Sequence, residues 1–366
     1  MNYLTITYSH KFNASIPSIA NRRYVHTYRR ILWNKILNTS ILFILFLGIP
    51  NHSSALENCE LNNHTNKKPT SFCLNIETSF DRLQDPIPEM NEVTIPLKRS
   101  GHLFMIDAKI DGVEGNLLFD TGASAVTLNI NYFRNHLHSK DIAGSGISGS
   151  VAESGEIMVD TLNVDCLRFT KQRVSTASLS HLENTRKIKI LGLFGLSLLK
   201  NFEIVFMPSM NQLKLIKIDS KGNRLNNQNE PTEKSIDIDF KNNIVYLEGK
   251  INGRRLNFCF DTGAECNVLD NNLSKSVLSM VTIKKRSTLK GAGDQTVEIL
   301  SGELNNIIIG NKDQNNQKVI LTSLSKMSEA YGVSIDGMLG YDFFYDKIIT
   351  INLRKETFSY IQVITE

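Results

Sequence analysis

Two acidic triplets carry most of the chemistry this chain can do. Asp120-Thr121-Gly122 and Asp261-Thr262-Gly263 each end an apolar run, Leu117-Leu118-Phe119 and Phe258-Cys259-Phe260. A carboxylate at the end of a buried strand is costly unless it is hydrogen-bonded or functional. Two such groups brought together cannot both ionise, so the pair holds one proton. One carboxylate then serves as base toward a water, and the other as acid toward a carbonyl oxygen. Gly122 and Gly263 let the backbone turn tightly beside each acid. The Thr121 and Thr262 hydroxyls can hydrogen-bond from one loop to the other and lock the pair.

The residues that must position these triplets also come in two copies. Lys109-Ile110-Asp111-Gly112 returns as Lys250-Ile251-Asn252-Gly253, at the same 141-residue offset as the triplets. Gly144-Ser145-Gly146 returns as Gly291-Ala292-Gly293, and Leu193-Phe194-Gly195 as Met338-Leu339-Gly340, at offsets of 147 and 145. Order and spacing are kept together, which identifies a duplication. The repeats run over about 93–218 and 236–366. Between them 219–235 (DSKGNRLNNQNEPTEKS) is polar and aperiodic, a linker long enough to let the halves face each other.

Each repeat reads mostly as strand. Leu103 to Ile110 and Ile244 to Ile251 alternate or are β-branched, and Asp-Gly or Asn-Gly follows, a strong hairpin signal. Ile204 to Ile216 and Ile348 to Ile361 read as further hairpins. Helical signal is confined to short pieces such as Ser323 to Tyr331 and the segment after Gly340. The expected fold is all-β: two similar small β-barrel lobes related by a pseudo-twofold axis, with short helices.

Composition narrows the function. Apolar residues make up 41% and charged residues 21%, which supports packed cores rather than disorder. A net charge of +4 is too mild for a nucleic-acid binder. Five scattered Cys make neither a disulfide scaffold nor a zinc site. Near the N-terminus Arg22, Arg23, Arg29, Arg30 and Lys35 precede an apolar run from Ser40 to Ile49, and Ser53-Ser54-Ala55 follows. This reads as a cleaved export signal over 1–55, delivering the chain to a periplasm or the outside. The alternative is an uncleaved anchor over 31–49, the one membrane contact expected. Residues 56–92 are polar with three prolines and read as a flexible spacer. Cys59 and Cys73 in that tail would pair after export, or stand as free thiols.

On the residues quoted above, the chain resembles the retropepsin-like aspartic peptidases in a single-chain tandem form, over about 93–366. The resemblance rests on Asp-Thr-Gly-Ala, completed by Ser124 after Ala123 and by Glu265 after Ala264. It also rests on the apolar-apolar-Gly segments Leu193-Phe194-Gly195 and Met338-Leu339-Gly340, which in the family pack beneath the active-site loops. Gly340-Tyr341-Asp342-Phe343-Phe344 fits the family pattern, whereas Gly195-Leu196-Ser197 lacks an Asp or Asn at Ser197. Gly144, Gly146 and Gly149, and Gly291 and Gly293, fall where the family carries substrate-covering flaps. The resemblance implies an aspartic endopeptidase with Asp120 and Asp261 catalytic, no metal or organic cofactor, and an extended polypeptide as substrate. It implies a monomer whose lobes pair within the chain; pairing between chains, as in one-repeat members, is the alternative. A catalytically silent peptide-binding module on the same fold is the second functional class. Pepsin-like enzymes usually place Ser or Thr where Ala123 and Ala264 stand. Alanine cannot donate to the carboxylates, so this dyad is expected to titrate higher.

Other reactive residues have plainer readings. Cys259 and Cys266 flank Asp261, yet the second repeat contains no His, and Cys259 aligns with the core residue Leu118. His136 and His138 alternate without a companion carboxylate or Cys cluster, which argues against a metal there. Lys284-Lys285-Arg286 and Arg254-Arg255 read as solvated turns.

Overall fold

The computed structural model describes residues 74–76, 91–136, 144–146, 149–151, 155–226, 234–290 and 296–363. The stretch 1–55, and with it the signal or anchor, lies outside these residues, as do Cys59, Cys73, His138, Gly291 and Gly293. Among the described residues no helix is long and apolar enough to cross a membrane.

Hairpins build both lobes. Asp111 and Gly112 sit at φ 44° and 84°, and Asn252 and Gly253 at 48° and 73°. Two successive positive φ values give the turn whose twist matches that of the flanking strands. The second strand of each hairpin, Val113–Phe119 or Arg254–Phe260, runs straight into its Asp. It is held on its far side by a parallel strand, Ile190–Phe194 or Gly337–Leu339. A long hairpin then wraps each lobe: Gly155–Val164 with Leu167–Ala177, and Thr296–Ile309 with Lys312–Thr322. Its first strand pairs back onto Leu103–Ile110 in one lobe and Ile244–Ile251 in the other, curling each sheet into a barrel. The architecture is all-β with short helices, among them Ser180–Arg186 and Ser325–Tyr331 at equivalent places in the two repeats.

The two repeats are joined by more than their loops. Strands Glu92–Pro96, Gln212–Lys217 and Phe202–Met207 form one half of a central antiparallel sheet. Lys347–Asn352, Thr357–Gln362 and Ile236–Lys241 form the other half. The halves meet where Phe202–Met207 pairs with Lys347–Asn352, placing Val205 opposite Thr350, its own counterpart at the 145-residue offset. Each hairpin thus adds to its duplicate as well as to its own lobe. Above this sheet Phe104, Phe119 and Phe206 from the first repeat join Phe260, Phe344 and Phe358 from the second in one core. Phe206 meets Phe344 at 5.4 Å and Phe344 meets Phe260 at 5.8 Å between ring centroids.

Three expectations need correction. The stretch 56–92 is not spacer throughout: Leu74–Ile76 forms a strand parallel to Leu167–Phe169, and Glu92 already lies in the central sheet. An edge strand offers unpaired backbone groups, and a short run with alternating Leu and Ile satisfies them. The first part of 219–235 is likewise docked. Arg224 forms an almost fully buried ion pair with Glu203, Asn226 Nδ2 donates to Glu92 Oε2 at 2.6 Å, and Asn91 Nδ2 donates to Leu225 O at 3.0 Å. Lys284-Lys285-Arg286 and Arg254-Arg255 are exposed but lie on strands, Val281–Lys290 and Arg254–Phe260. Val281–Lys290 is an edge strand, where charge blunts further strand addition. After Gly195 the chain makes a 3₁₀ turn, Leu196–Leu198, in place of the α-helical turn Tyr341–Phe344 that follows Gly340.

Candidate active site

The apolar-apolar-Gly segments fix the start of each acidic loop. Leu193 and Phe194 pair with Leu118 and Phe119, and Met338 and Leu339 with Cys259 and Phe260. The strand carbonyls then hold the acids: Asp120 N–H donates to Phe194 O at 3.1 Å, and Asp261 N–H to Leu339 O at 3.0 Å. Gly195 and Gly340 press against loop carbonyls of Ala123, and of Ala264 and Cys266, so closely that a β-carbon would have no room. Tyr341 N–H donates to Ala264 O at 2.9 Å, and Gly340 N–H to Asn267 Oδ1 at 2.9 Å.

The threonines interlock the loops. Thr121 N–H donates to Thr262 Oγ1 and Thr262 N–H to Thr121 Oγ1, both at 3.0 Å. Each hydroxyl in turn donates across the axis, Thr121 to Phe260 O and Thr262 to Phe119 O, both at 2.8 Å. All four bonds are buried and pseudo-symmetric. This is the lock expected from the hydroxyl chemistry of the two triplets.

The two carboxyl groups lie together, within hydrogen-bonding reach of each other. Both Asp120 and Asp261 are fully buried. Asp120 Oδ1 accepts the Gly122 N–H at 3.0 Å, and Asp261 Oδ1 the Gly263 N–H at 2.8 Å. The other oxygen of each, Oδ2, is buried and reached by no donor among the described residues. Gly122 and Gly263 are required by this approach and not by an unusual φ. A β-carbon on Gly122 would stand 2.6 Å from the Asp261 carboxyl carbon, and one on Gly263 would stand 2.7 Å from that of Asp120. Burial raises the proton affinity of both acids. It holds Asp120 well above the ordinary carboxylate range, with the charge of Asp261 adding to it, and pushes Asp261 up to about 6. Such a pair titrates as one unit.

Residues beyond the triplets hold each loop from the opposite lobe. Asn243 Nδ2 donates to Ser124 O at 2.7 Å, and His102 Nδ1 to Glu265 O at 3.1 Å. Asn243 and His102 are themselves 141 residues apart, as are Glu265 and Ser124. Arg186, at the end of one helix, forms an ion pair with Glu265, and Tyr331, at the end of the equivalent helix, donates its hydroxyl to Gly122 O at 2.7 Å. None of these four cross-lobe residues stands out in the sequence. Only their matching offsets from the triplets could have signalled them.

The remaining candidates fall outside this arrangement. Gly144–Gly146 and Gly149–Val151 form a small antiparallel hairpin, and Gly144–Gly146 lies against the helix Ser325–Tyr331. Cys259 and Cys266 are buried, and burial pushes both thiols well up, away from thiolate chemistry. His136 Nε2 bonds Asp111 Oδ2 at 3.0 Å, beside the first hairpin turn. Among the described residues no group of three or more His, Cys, Asp and Glu comes together to hold a metal.

Residues 247–343, containing the second triplet and Met338-Leu339-Gly340, match the family model described as aspartyl protease. Among the solved structures similar to the chain are two. Basic 7S globulin from soybean has a TM-score of 0.46 and 10% identity, over 74% of this chain and 94% of that one. An aspartic proteinase from Irpex lacteus has a TM-score of 0.48 and 12% identity, over 74% and 97%. No curated protein matches the chain. The family match supports a resemblance to aspartyl proteases over the second lobe.

Proposed function

We propose that the protein is an aspartic endopeptidase that hydrolyses peptide bonds of an extended polypeptide. The observation that carries this reading is the pair of buried carboxyls whose Oδ1 oxygens take backbone N–H groups while their Oδ2 oxygens have no donor among the described residues. A proton held in common satisfies one Oδ2 oxygen, and a water placed between them would satisfy both. The ionised carboxylate takes a proton from that water as its oxygen bonds the peptide carbonyl carbon. The protonated carboxyl gives its proton to the carbonyl oxygen. In the collapse of the tetrahedral species the carboxyl that took the water's proton gives it to the amide nitrogen, the other carboxylate takes a hydroxyl proton back, and the C–N bond breaks, restoring the pair with one proton. The interlocked threonines hold the pair rigid, so little reorganisation accompanies the reaction.

The hairpin formed by Gly144–Gly146 and Gly149–Val151 is the first-lobe flap in this reading, offering main-chain groups to a substrate that joins as a strand. Both acidic loops come from one chain, which favours a monomer as the active form. Export rests on the basic lead-in and the apolar run Ser40 to Ile49.

Digestion of an unfolded protein or a peptide library tests the proposal, with Asp120→Asn as control. Cleavage by the wild type and none by the variant, with folding and peptide binding unchanged, is the expected result. A wild type that binds peptides but cleaves none across the pH range would leave the silent binding module instead.

A further inference from the structure

We infer that Tyr331 is a positioning residue for the dyad, acting through the peptide unit between Gly122 and Ala123; the inference rests on the peptidase reading above. Tyr331 is the last residue of the helix Ser325–Tyr331 in the second repeat, and only 2% of it is exposed. Its hydroxyl crosses to the first repeat and donates to Gly122 O at 2.7 Å. That carbonyl belongs to the same peptide unit as the Ala123 N–H, which faces the Asp120 carboxyl. The preceding N–H, that of Gly122, donates to Asp120 Oδ1 and also faces Asp261. A donor on the carbonyl oxygen draws charge from the peptide and strengthens its N–H as a donor. The phenol therefore both fixes the plane of the peptide and makes it a better partner for a carboxylate.

The tyrosine is itself anchored. Asn242 Nδ2 donates to Tyr331 O at 2.8 Å, and the next residue, Asn243, holds Ser124 O. Asn242 and Asn243 form a tight turn with φ of 52° and 62°, so one turn grips the tyrosine and the loop it serves. The first repeat places Arg186 at the equivalent position, where it pairs with the Glu265 side chain. The duplicated scaffold is therefore chemically unequal at these two places, with a neutral phenol on the Asp120 side and an ion pair on the Asp261 side.

The ionisable groups facing the dyad from neighbouring elements are Tyr331 itself, Cys259 on the strand before Asp261, and Tyr246 behind Cys259. Burial raises all three above their ordinary values, so they stay neutral while the carboxyls titrate. Around the second loop stand Glu265, Arg186, His102 and Asp342.

Tyr331→Phe removes only the hydroxyl and keeps the ring in the core. The expected result is a fall of about fivefold in kcat, the size of one buried hydrogen bond, with KM within twofold. Both limbs of the pH–rate profile move to higher pH, because the carboxylate form has lost support. The same upward movement is expected when the Asp carboxyl carbons, labelled with ¹³C, are titrated by NMR. Asn242→Ala, which loosens the anchor, should change both readouts in the same direction by less. A folded Tyr331→Phe protein whose kcat and carboxyl titration match the wild type would overturn the inference, as would a loss of thermal stability with an unmoved titration. The NMR titration needs no turnover. A wild type without cleavage would therefore refute the peptidase reading while leaving the role of Tyr331 open to measurement.

Discussion

Thr121 and Thr262 each accept the other's backbone N–H at 3.0 Å, and each passes its own hydroxyl proton to a carbonyl in the opposite lobe. The relationship is reciprocal, so one side chain serves two buried partners. Replacing either threonine by valine keeps the shape but leaves an N–H and a carbonyl without partners. The expected cost is about 2–4 kcal/mol of stability, with a tenfold or greater fall in kcat as the loops lose register. Serine at either position keeps the hydroxyl and should retain most of both. Thermal melts and steady-state kinetics on the Val and Ser pairs check this.

The dyad predicts a particular dependence of stability on pH. Asp120 and Asp261 both hold protons more tightly in the folded chain than when unfolded, mainly because they are buried. Their contribution is therefore complete below the unfolded carboxylate range near 4. It declines as pH rises through the folded value, about 6 for Asp261. Asp120→Asn removes one ionisation and should be more stable than the wild type at pH 7, with the difference shrinking toward pH 4. Melting temperatures measured across this range decide it. A wild type whose advantage grows with pH would contradict the assignment.

Activity should follow the same protons. The pair comes to hold a single proton when the less raised acid, Asp261, ionises near 6, and keeps it until the more raised Asp120 ionises, so cleavage should rise around pH 6 and extend above it. Ala123 and Ala264 are buried beside the dyad and bring no side-chain donor that would lower it. A pH–rate profile confined to strongly acidic conditions would count against this.

Much of the candidate site is legible in the sequence, because its logic is local. The triplets, the hairpin turns at Asp111-Gly112 and Asn252-Gly253, and the apolar-apolar-Gly segments each sit within a few residues of what they do. Two matching sets of residues in the same order made chance agreement implausible. What escaped was non-local or generic. Tyr331 ends a short helix and looks like any buried aromatic; its partner Gly122 lies 209 residues away. The pairing of Phe202–Met207 with Lys347–Asn352 joins two hairpins that each look complete, so nothing in either announces a shared sheet. Lys284-Lys285-Arg286 reads as a turn because charge runs are usually solvated, yet an exposed strand face is solvated as well.

Arg224 and Glu203 form an ion pair with side chains 8% and 5% exposed, and Asn352 Nδ2 donates to the second Glu203 oxygen at 3.0 Å. The pair ties the start of the inter-repeat segment to the central sheet. Arg224→Ala would leave Glu203 charged and buried with only the asparagine, a loss of about 3–5 kcal/mol. Arg224→Ala with Glu203→Gln should recover part of it. Denaturant melts on the single and double variants measure the coupling.

Leu74–Ile76 covers an edge of the first-lobe sheet by pairing with Leu167–Phe169, although it precedes the first repeat in the chain. A protein beginning near residue 70 keeps this strand, and one beginning at residue 91 loses it while keeping the central-sheet strand Glu92–Pro96. The shorter protein then presents unpaired N–H and C=O groups on Leu167–Phe169, a template for pairing with another copy. It should cleave substrate at the same kcat, because the strand pairs with Leu167–Phe169 and takes no part in the pairing that holds the acidic loops. It should also melt a few degrees lower and scatter more light at high concentration. Equal melting temperature and equal scattering would show that the strand contributes nothing to the folded lobe. Loss of cleavage in the shorter protein, with folding intact, would instead tie the N-terminal segment to the active site.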